Sequence, residues 1–372
     1  MKKLKCLYLA NFDPTVSTTG TTTRGRLFLR KFAESYETEV VHFGDQTQEG
    51  RDAELVDSLA AFESIPYSHL AFYLFSPKFF AVANRVLRNG DHDFIFADCE
   101  KAGLYAYLLS KKCGLPFIYN SHNVEYQRYI SMANTNVLRY VFVPYVYAIE
   151  RLACSNAALT ISISQSDASV LQKWSGPSKI RVLPCAFDEE SINPFYDERP
   201  AARPVVLMVG NFSYGANRSS AYRVAREIVP AVVHRQPDVN FRFVGGGFPE
   251  DIQHANIQAA GFVSDLKSEY EKASVIIAPI EIGGGVKIKV VEALASGKFL
   301  VTTEKGMEGI DYAGLRNVVV TPIDTFAEHI SQALTRHPSK TEDNWSTISE
   351  RFGTRKALDK LVDSIDGLLG KH

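Results

Sequence analysis

The residues best suited to chemistry lie at 279–297, PIEIGGGVKIKVVEALASG. Glycines at 283–285 allow the backbone to approach a ligand closely and to present bare N–H groups to it. A helix is predicted directly after them, and its amino end carries partial positive charge. Lys287 and Lys289 add full charges, and the carboxylate of Glu292 could accept hydrogen bonds from a ribose. The stretch predicts a seat for a nucleoside diphosphate; the alternative is an ordinary Gly-rich turn with solvated lysines and a Lys289–Glu292 pair.

Length, charge and cysteine content set the broad class of the protein. A chain of 372 residues predicts about two domains of roughly 150 residues each. The formal net charge of -1 argues against a general nucleic-acid binder. Five scattered cysteines without a C-x-x-C pair are typical of reduced thiols in a cytoplasmic protein. The apolar run at 4–10 is too short for a signal peptide or a membrane span.

Apolar runs alternate with helical patterns along the chain, which predicts α/β domains with parallel sheets. The alternation stops at the polar, Pro-rich stretch 188–204 and then restarts. We therefore expect a first Rossmann-like domain over 1–187, a linker over 188–204, a second Rossmann-like domain over 205–345 and a C-terminal helical segment over 346–372 that returns to the first domain. The predicted strands cover 4–10, 39–43, 94–97, 116–120, 159–162, 180–183, 205–209, 240–244, 258–262, 275–279, 299–302 and 317–320.

Candidate site residues collect where predicted strands end, which is where ligands bind in open α/β sheets. His122 follows a strand directly and could bond a hydroxyl, donate to a phosphate or act as a base. The alternative is a histidine that only braces its loop, with Asn123 and Glu125 capping the next helix. Gly20 lies in the loop predicted after the first strand, where a phosphate or sugar could approach the backbone.

Two aromatic segments, 67–80 and 137–149, carry basic residues within or beside them. Such segments could contact a membrane interface and recruit a lipid-linked acceptor. Core packing is the alternative and the commoner role for aromatic runs. We expect a cytoplasmic protein, and contact with the inner face of the membrane is left open.

Five segments together resemble glycosyltransferase family 4, retaining enzymes of the GT-B fold. The likeness covers most of the chain in order, and its most specific part is the last segment. The segments are IYNSHNVEYQRY, ISISQSDASVLQ, IRVLPCAFD, LMVGNFSYGANRSS and AGFVSDLKSEYEKASVIIAPIEIGGGVKIKVVEALASGK.

The sequence departs from the family pattern in two places. Members often carry two glutamates with seven residues between them; Glu292 matches the second, whereas Gly284 stands at the first. This resembles the subgroup with a Gly-rich loop there. Many members also place an Arg and a Lys for the diphosphate where this chain has Asn211 and 217–218. Here Lys287, Lys289 and Arg218 are expected to supply that charge.

The resemblance implies two Rossmann-like domains facing a cleft and retaining transfer of a sugar from a nucleoside diphosphate sugar to a glycan, lipid-linked or small-molecule hydroxyl. The nucleotide sugar is a co-substrate, and neither a cofactor nor a metal is expected. The predicted donor-binding residues are Gly20, Gly210, Asn211, Arg218, Phe262, Val263, Gly283, Gly284, Gly285, Val286 and Glu292, and the predicted catalytic residues are His122, Lys287 and Lys289.

Three other functions compete with this expectation. A GT-B enzyme that processes a sugar nucleotide alone, such as a 2-epimerase, would turn over donor without an acceptor. A catalytically inactive sugar-nucleotide-binding protein is compatible with the glycine at 284. A nicotinamide oxidoreductase is disfavoured, because no G-x-G-x-x-G follows the first predicted strand.

Overall fold

A computed structural model describes residues 3–16, 20–44, 50–66, 75–133, 139–183, 187, 189, 192, 194–195, 203–263, 265–282, 286–335 and 344–370. The chain divides into two compact units, Met1–Pro184 with Ala357–His372, and Cys185–Lys356. Each unit is built on a parallel sheet with helices, as the alternating pattern predicted.

The first unit contains a seven-stranded sheet in the order β3-β2-β1-β4-β5-β6-β7, with all neighbouring pairs parallel. Its strands are β1 Lys5–Ala10, β2 Glu37–Phe43, β3 Ala61–Ile65, β4 Phe94–Asp98, β5 Phe117–Asn120, β6 Leu159–Ser162 and β7 Ile180–Val182. Its described helices are α1 Gly20–Ser35, α2 Ala53–Asp57, α3 Pro77–Asn89, α4 Glu100–Cys113, α5 Glu125–Ala133, α6 Arg139–Asn156 and α7 Gln165–Ser175, with a 3-10 turn at Pro177–Lys179.

The second unit contains a six-stranded parallel sheet in the order β10-β9-β8-β11-β12-β13. Its strands are β8 Val205–Val209, β9 Asn240–Val244, β10 Ile257–Gly261, β11 Val275–Ala278, β12 Phe299–Thr302 and β13 Val318–Val320. Its described helices are α8 Gly215–Arg223, a π-helical turn Val224–Ile228, α9 Val229–Arg235, α10 Leu266–Lys272, α11 Ile288–Ala295, a 3-10 turn Ile323–Thr325, α12 Phe326–Ala333 and α13 Trp345–Phe352.

The cores lie on both faces of each sheet, because helices cover both faces of a parallel sheet. In β1, Leu7 and Leu9 pack into one apolar cluster, and Tyr8 packs into the cluster on the opposite face. The last helix, α14 Thr354–Leu368, places Leu361 and Ile365 in the second of these clusters. The C-terminal helix thus returns to the first unit, as predicted.

The structure differs from the sequence prediction at one strand and at the start of the first helix. The strand β3 was not predicted at all. The helix α1 begins at Gly20, whereas we expected Gly20 to lie in a loop. Thr and Gly are poor helix formers, but Thr22 and Arg24 are buried in this turn, and tertiary packing overrides local propensity there. Gly20 is therefore the first residue of a helix and not part of a loop.

The stretch predicted as a linker contributes to the second unit. The described part includes Ile192, which is buried in a core of that unit, and Phe195, whose N–H donates to the carbonyl of Ser296 at 2.8 Å. The neighbouring Phe187 is fully buried in the same core. The amino-terminal segment of the first unit ends at Pro184, whereas we expected the domain to run to residue 187.

The two aromatic segments are partly core. Phe79, Val146 and Ile149 are buried, whereas Tyr140 and Val141 are exposed. Residues 67–74 and 137–138 lie outside the described part of the chain. Among the described helices, none has the length and apolarity required to cross a membrane.

Candidate active site

The loops after β8 and β9 meet backbone against backbone in the second unit. Gly245 follows β9 with a φ of 128°, and a Cβ atom there would lie 2.0 Å from the carbonyl oxygen of Gly210. Only glycine fits both this conformation and this approach. Gly210, which follows β8, is fixed in turn by its N–H, which donates to the carbonyl of Val244 at 2.9 Å. The carboxyl ends of the two strands are therefore held together, with Gly210 between them.

Lys289, in the first turn of α11, points to this place. Its Nζ donates to Oδ1 of Asn217 at 2.9 Å, and a Cβ on Gly210 would lie 3.4 Å from the same nitrogen. Asn217 is held by a second bond, from its Nδ2 to the carbonyl of Asn211 at 2.8 Å. Burial, with a smaller contribution from the neighbouring charge of Lys287, lowers the pKa of Lys289 to about 8. A partly desolvated ammonium beside a bare glycine is a good partner for a phosphate.

Lys287 and Glu292 are held by different partners. Lys287 immediately precedes α11, and its Nζ forms an ion pair with Glu308 at 2.9 Å. Glu292 lies one turn further along α11, and its Oε2 accepts a hydrogen bond from the hydroxyl of Tyr270 at 2.9 Å. Tyr270 is fully buried, so it fixes the rotamer of Glu292. The two predicted lysines thus differ: Lys289 faces Gly210, and Lys287 faces a carboxylate.

The other predicted donor residues of this unit fall into two groups. Gly283, Gly284 and Gly285 lie outside the described residues. Asn211 and Arg218 are exposed, Val263 and Val286 are half-buried against the core, and Phe262 is 65% exposed. The hydrogen bond from the Tyr222 hydroxyl lowers the pKa of Asp251, and the positive charge of Arg218 lowers it to a smaller extent. On α8 it is Asn217, and not Arg218, that is hydrogen bonded to Lys289.

In the first unit, His122 is held by a carboxylate that the sequence analysis missed. His122 is 4% exposed, and its Nε2 lies 2.5 Å from Oδ1 of Asp98. Because a carboxylate only accepts, Nε2 carries the proton, and in the neutral ring the lone pair lies on Nδ1. Asp98 also accepts from Tyr8 at 2.6 Å and from Asn120 at 2.8 Å. The bond to Asp98 thus orients the His122 ring and leaves Nδ1 as its accepting nitrogen.

The residues around this pair lie at the carboxyl ends of β4 and β5. Asp98 ends β4 and Asn120 ends β5, so parallel strands bring them to one edge of the sheet. Cys99, directly after β4, has φ 80° and ψ 168°, a region that costs a non-Gly residue of order 1–3 kcal/mol. Arg24 is buried and donates to the carbonyl of Leu183 at 3.1 Å. Strained backbone and buried charge make this edge a candidate functional site.

Two groups of the described residues carry side chains of the kinds that can bind a metal. An Asp-x-Asp sequence occurs at Asp91 and Asp93, but it precedes β4, at the end of the strand opposite to His122. Asp98, Cys99 and His122 bring their ligand atoms within 4.8 Å of one another. The carboxylate and imidazole of this trio are hydrogen bonded directly at 2.5 Å.

The GT-B architecture of glycosyltransferases consists of two units with parallel sheets and with site residues at the carboxyl edges of both sheets. This chain has that fold, which defines the class of the protein. Family models agree with this class. Residues 20–191 match the model described as Glycosyltransferase Family 4, and residues 203–336 match the model described as Glycosyl transferases group 1. The chain therefore belongs to glycosyltransferase family 4.

One curated protein and two solved structures resemble the chain at low sequence identity. An uncharacterised 44.6 kDa protein in the cps region of Klebsiella pneumoniae is 24% identical over 304 residues, 73% of this chain and 74% of that protein. The structure of HepE of Anabaena in complex with UDP-glucose is 15% identical, with a TM-score of 0.70 over 98% of this chain and 100% of that one. Sucrose-phosphate synthase of Thermosynechococcus elongatus is 17% identical, with a TM-score of 0.70 over 99% and 100%.

Proposed function

We propose that the protein transfers a sugar from a nucleoside diphosphate sugar to an acceptor hydroxyl with retention at the anomeric carbon. The observation that carries this proposal is Lys289, a partly desolvated ammonium held by Asn217 beside Gly210. The amino end of α11 lies at the same edge and adds positive potential. Retention rests on the resemblance to family 4.

Each residue has a role in this proposal. Lys289 stabilises the negative charge that builds on the diphosphate as the glycosidic bond breaks. Stabilising a charge that appears in the transition state gives the largest gain in rate. Glu292, oriented by Tyr270, accepts from the ribose hydroxyls. His122, oriented by Asp98, accepts a proton or a hydrogen bond from a hydroxyl of the reacting sugars through Nδ1. No step in this scheme uses a metal.

The test begins with the donor. We expect UDP-glucose, the ligand of the HepE complex, to raise the melting temperature, and we compare it with GDP-, ADP- and dTDP-sugars. With the best donor, NMR of the product gives the anomeric configuration, and assays in EDTA test independence from metal. Failure of every nucleotide sugar to bind would refute the proposal. Conversion of donor without acceptor would indicate an epimerase instead.

A further inference from the structure

The helix α5 begins three residues after His122 and has no capping side chain of its own at the usual position. The carbonyl of Val124 accepts from the N–H groups of Gln127 and Arg128, both at 3.1 Å, so Val124 occupies the N-cap position. Valine has no polar atom with which to cap a helix, unlike Ser, Thr, Asp or Asn. The first amides of α5 therefore need a partner from elsewhere.

Glu150, in the middle of α6, provides that partner. Its Oε1 accepts from the N–H of Glu125 at 2.9 Å, and its Oε2 accepts from the N–H of Tyr126 at 3.3 Å. Glu150 is fully buried. A buried carboxylate that takes two adjacent amides at the positive end of a helix does the work of an N-cap from a different helix.

We propose that Glu150 is a positioning residue for sugar transfer: by capping α5 it fixes the segment that presents His122. This inference rests on the proposed function. It also predicts an effect on the His122 ring itself, which is independent of any transfer assay.

The segment between the two anchors is short. At one end, Asn120 lies in β5 and is bonded to Asp98. At the other end, the amide of Glu125 is held by Glu150. Only residues 121–124 connect these points, so a displacement of the helix start is passed to His122. Because misplacement by about 1 Å can cost about 10²-fold in rate, the cap affects chemistry as well as stability.

The burial of Glu150 and the charges around it make its ionised form costly in free energy. Burial raises the pKa of Glu150 to about 8, although the amides of Glu125 and Tyr126 oppose the shift. Repulsion by Glu125 on α5 and Glu100 on α4 contributes to the same rise in pKa. Three carboxylates thus lie close together in the interior. A carboxyl group is costly in such a place, and the described contacts show it bound to two amides of α5.

The experiment compares Glu150→Ala and Glu150→Gln with Glu100→Gln. Glutamine keeps one acceptor oxygen for the amides of α5, and alanine keeps none. Glu100 is the matched control: it is a buried carboxyl group of this cluster that acts on Glu125 and Arg128 of α5 through charge. The measurements are kcat and KM at saturating acceptor, UDP affinity by calorimetry, melting temperature, and the NMR signals of the isotope-labelled His122 ring.

We expect Glu150→Ala to lower kcat by about 10- to 100-fold, to leave UDP affinity within about twofold and to shift the His122 signals. Glu150→Gln should have a higher kcat than Glu150→Ala, because it keeps one acceptor oxygen. If the alanine variant does not fold, the test uses the glutamine variant alone. Unchanged His122 signals in the Glu150 variants would overturn the proposal, as would an equal loss of kcat in Glu100→Gln. If the wild type transfers no sugar, the proposed function fails, and the His122 signals still decide whether Glu150 positions this histidine.

Discussion

The charge on Lys289 should control nucleotide binding in a pH range where most lysines do not titrate. Its pKa is lowered from 10.5 to about 8, mainly by burial. One pKa unit corresponds to about 1.4 kcal/mol, and allowing for the part of the side chain that still reaches solvent, we take the cost of its charge as about 2–3 kcal/mol. A bound diphosphate offsets this cost, because its negative charge takes the place of the water that the ammonium of Lys289 loses on burial.

The sign of the pH dependence follows directly. Below pH 8 the ammonium is charged and attracts the diphosphate; above pH 8 the free protein holds a neutral amine. We expect the affinity for UDP to fall about tenfold between pH 7 and pH 9, since a pKa near 8 reduces the protonated fraction by that factor. Isothermal titration calorimetry at constant ionic strength measures this fall.

Two variants test whether Lys289 is the group responsible. Lys289→Arg keeps its charge throughout this range, so its affinity for UDP should be nearly constant from pH 7 to pH 9. Lys305→Ala removes a more exposed lysine that pairs with Glu308, and it should titrate like the wild type. The reasoning is refuted if wild-type affinity is the same at both pH values, or if the arginine variant loses affinity as the wild type does.

Three further changes test the rest of the site. Asp98→Asn should lower transfer by about 10²-fold or more with UDP affinity unchanged, because the His122 ring loses its orientation; normal transfer would remove His122 from the mechanism. Gly245→Ala places a Cβ against the carbonyl of Gly210 and should cost at least about 1–3 kcal/mol of stability in a denaturant titration, and an unchanged midpoint would contradict the close approach. Glu292→Ala should weaken UDP binding by roughly 1.5–3 kcal/mol but not the binding of a diphosphate without ribose, and equal losses for both ligands would argue against a ribose contact.

Much of the fold could be predicted from sequence because its strands are buried on both faces. Such strands are continuous apolar runs, as in VVLMV at β8 and FIFAD at β4, and they stand out from the helices between them. The tail was predicted as helical with a break near Gly353, and it forms α13 and α14 on either side of that residue. By contrast, β3 is AFESI, whose residues are half-buried except the last, so its pattern is weak.

The site could be predicted from sequence only where residues of suitable chemistry lie close together in one short stretch of the chain. Lys287 and Lys289 are two residues apart and look equivalent in sequence, yet one binds Glu308 and the other Asn217. That difference depends on residues 21 and 72 positions away, which no local pattern contains. The sequence could therefore single out this helix as a candidate phosphate site but could not distinguish the surroundings of the two lysines.

The same argument explains why the partners of His122 were missed. Asp98 lies 24 residues before it, and the two meet because β4 and β5 are parallel neighbours whose carboxyl ends share one edge. A polar residue at the end of an apolar strand was the available signal, since Asp98 and Asn120 both end strands that are otherwise apolar or aromatic. Searching each predicted strand for its last polar residue would have found both. It would not have found Glu150, which lies inside a helix and acts on His122 only through the start of another helix.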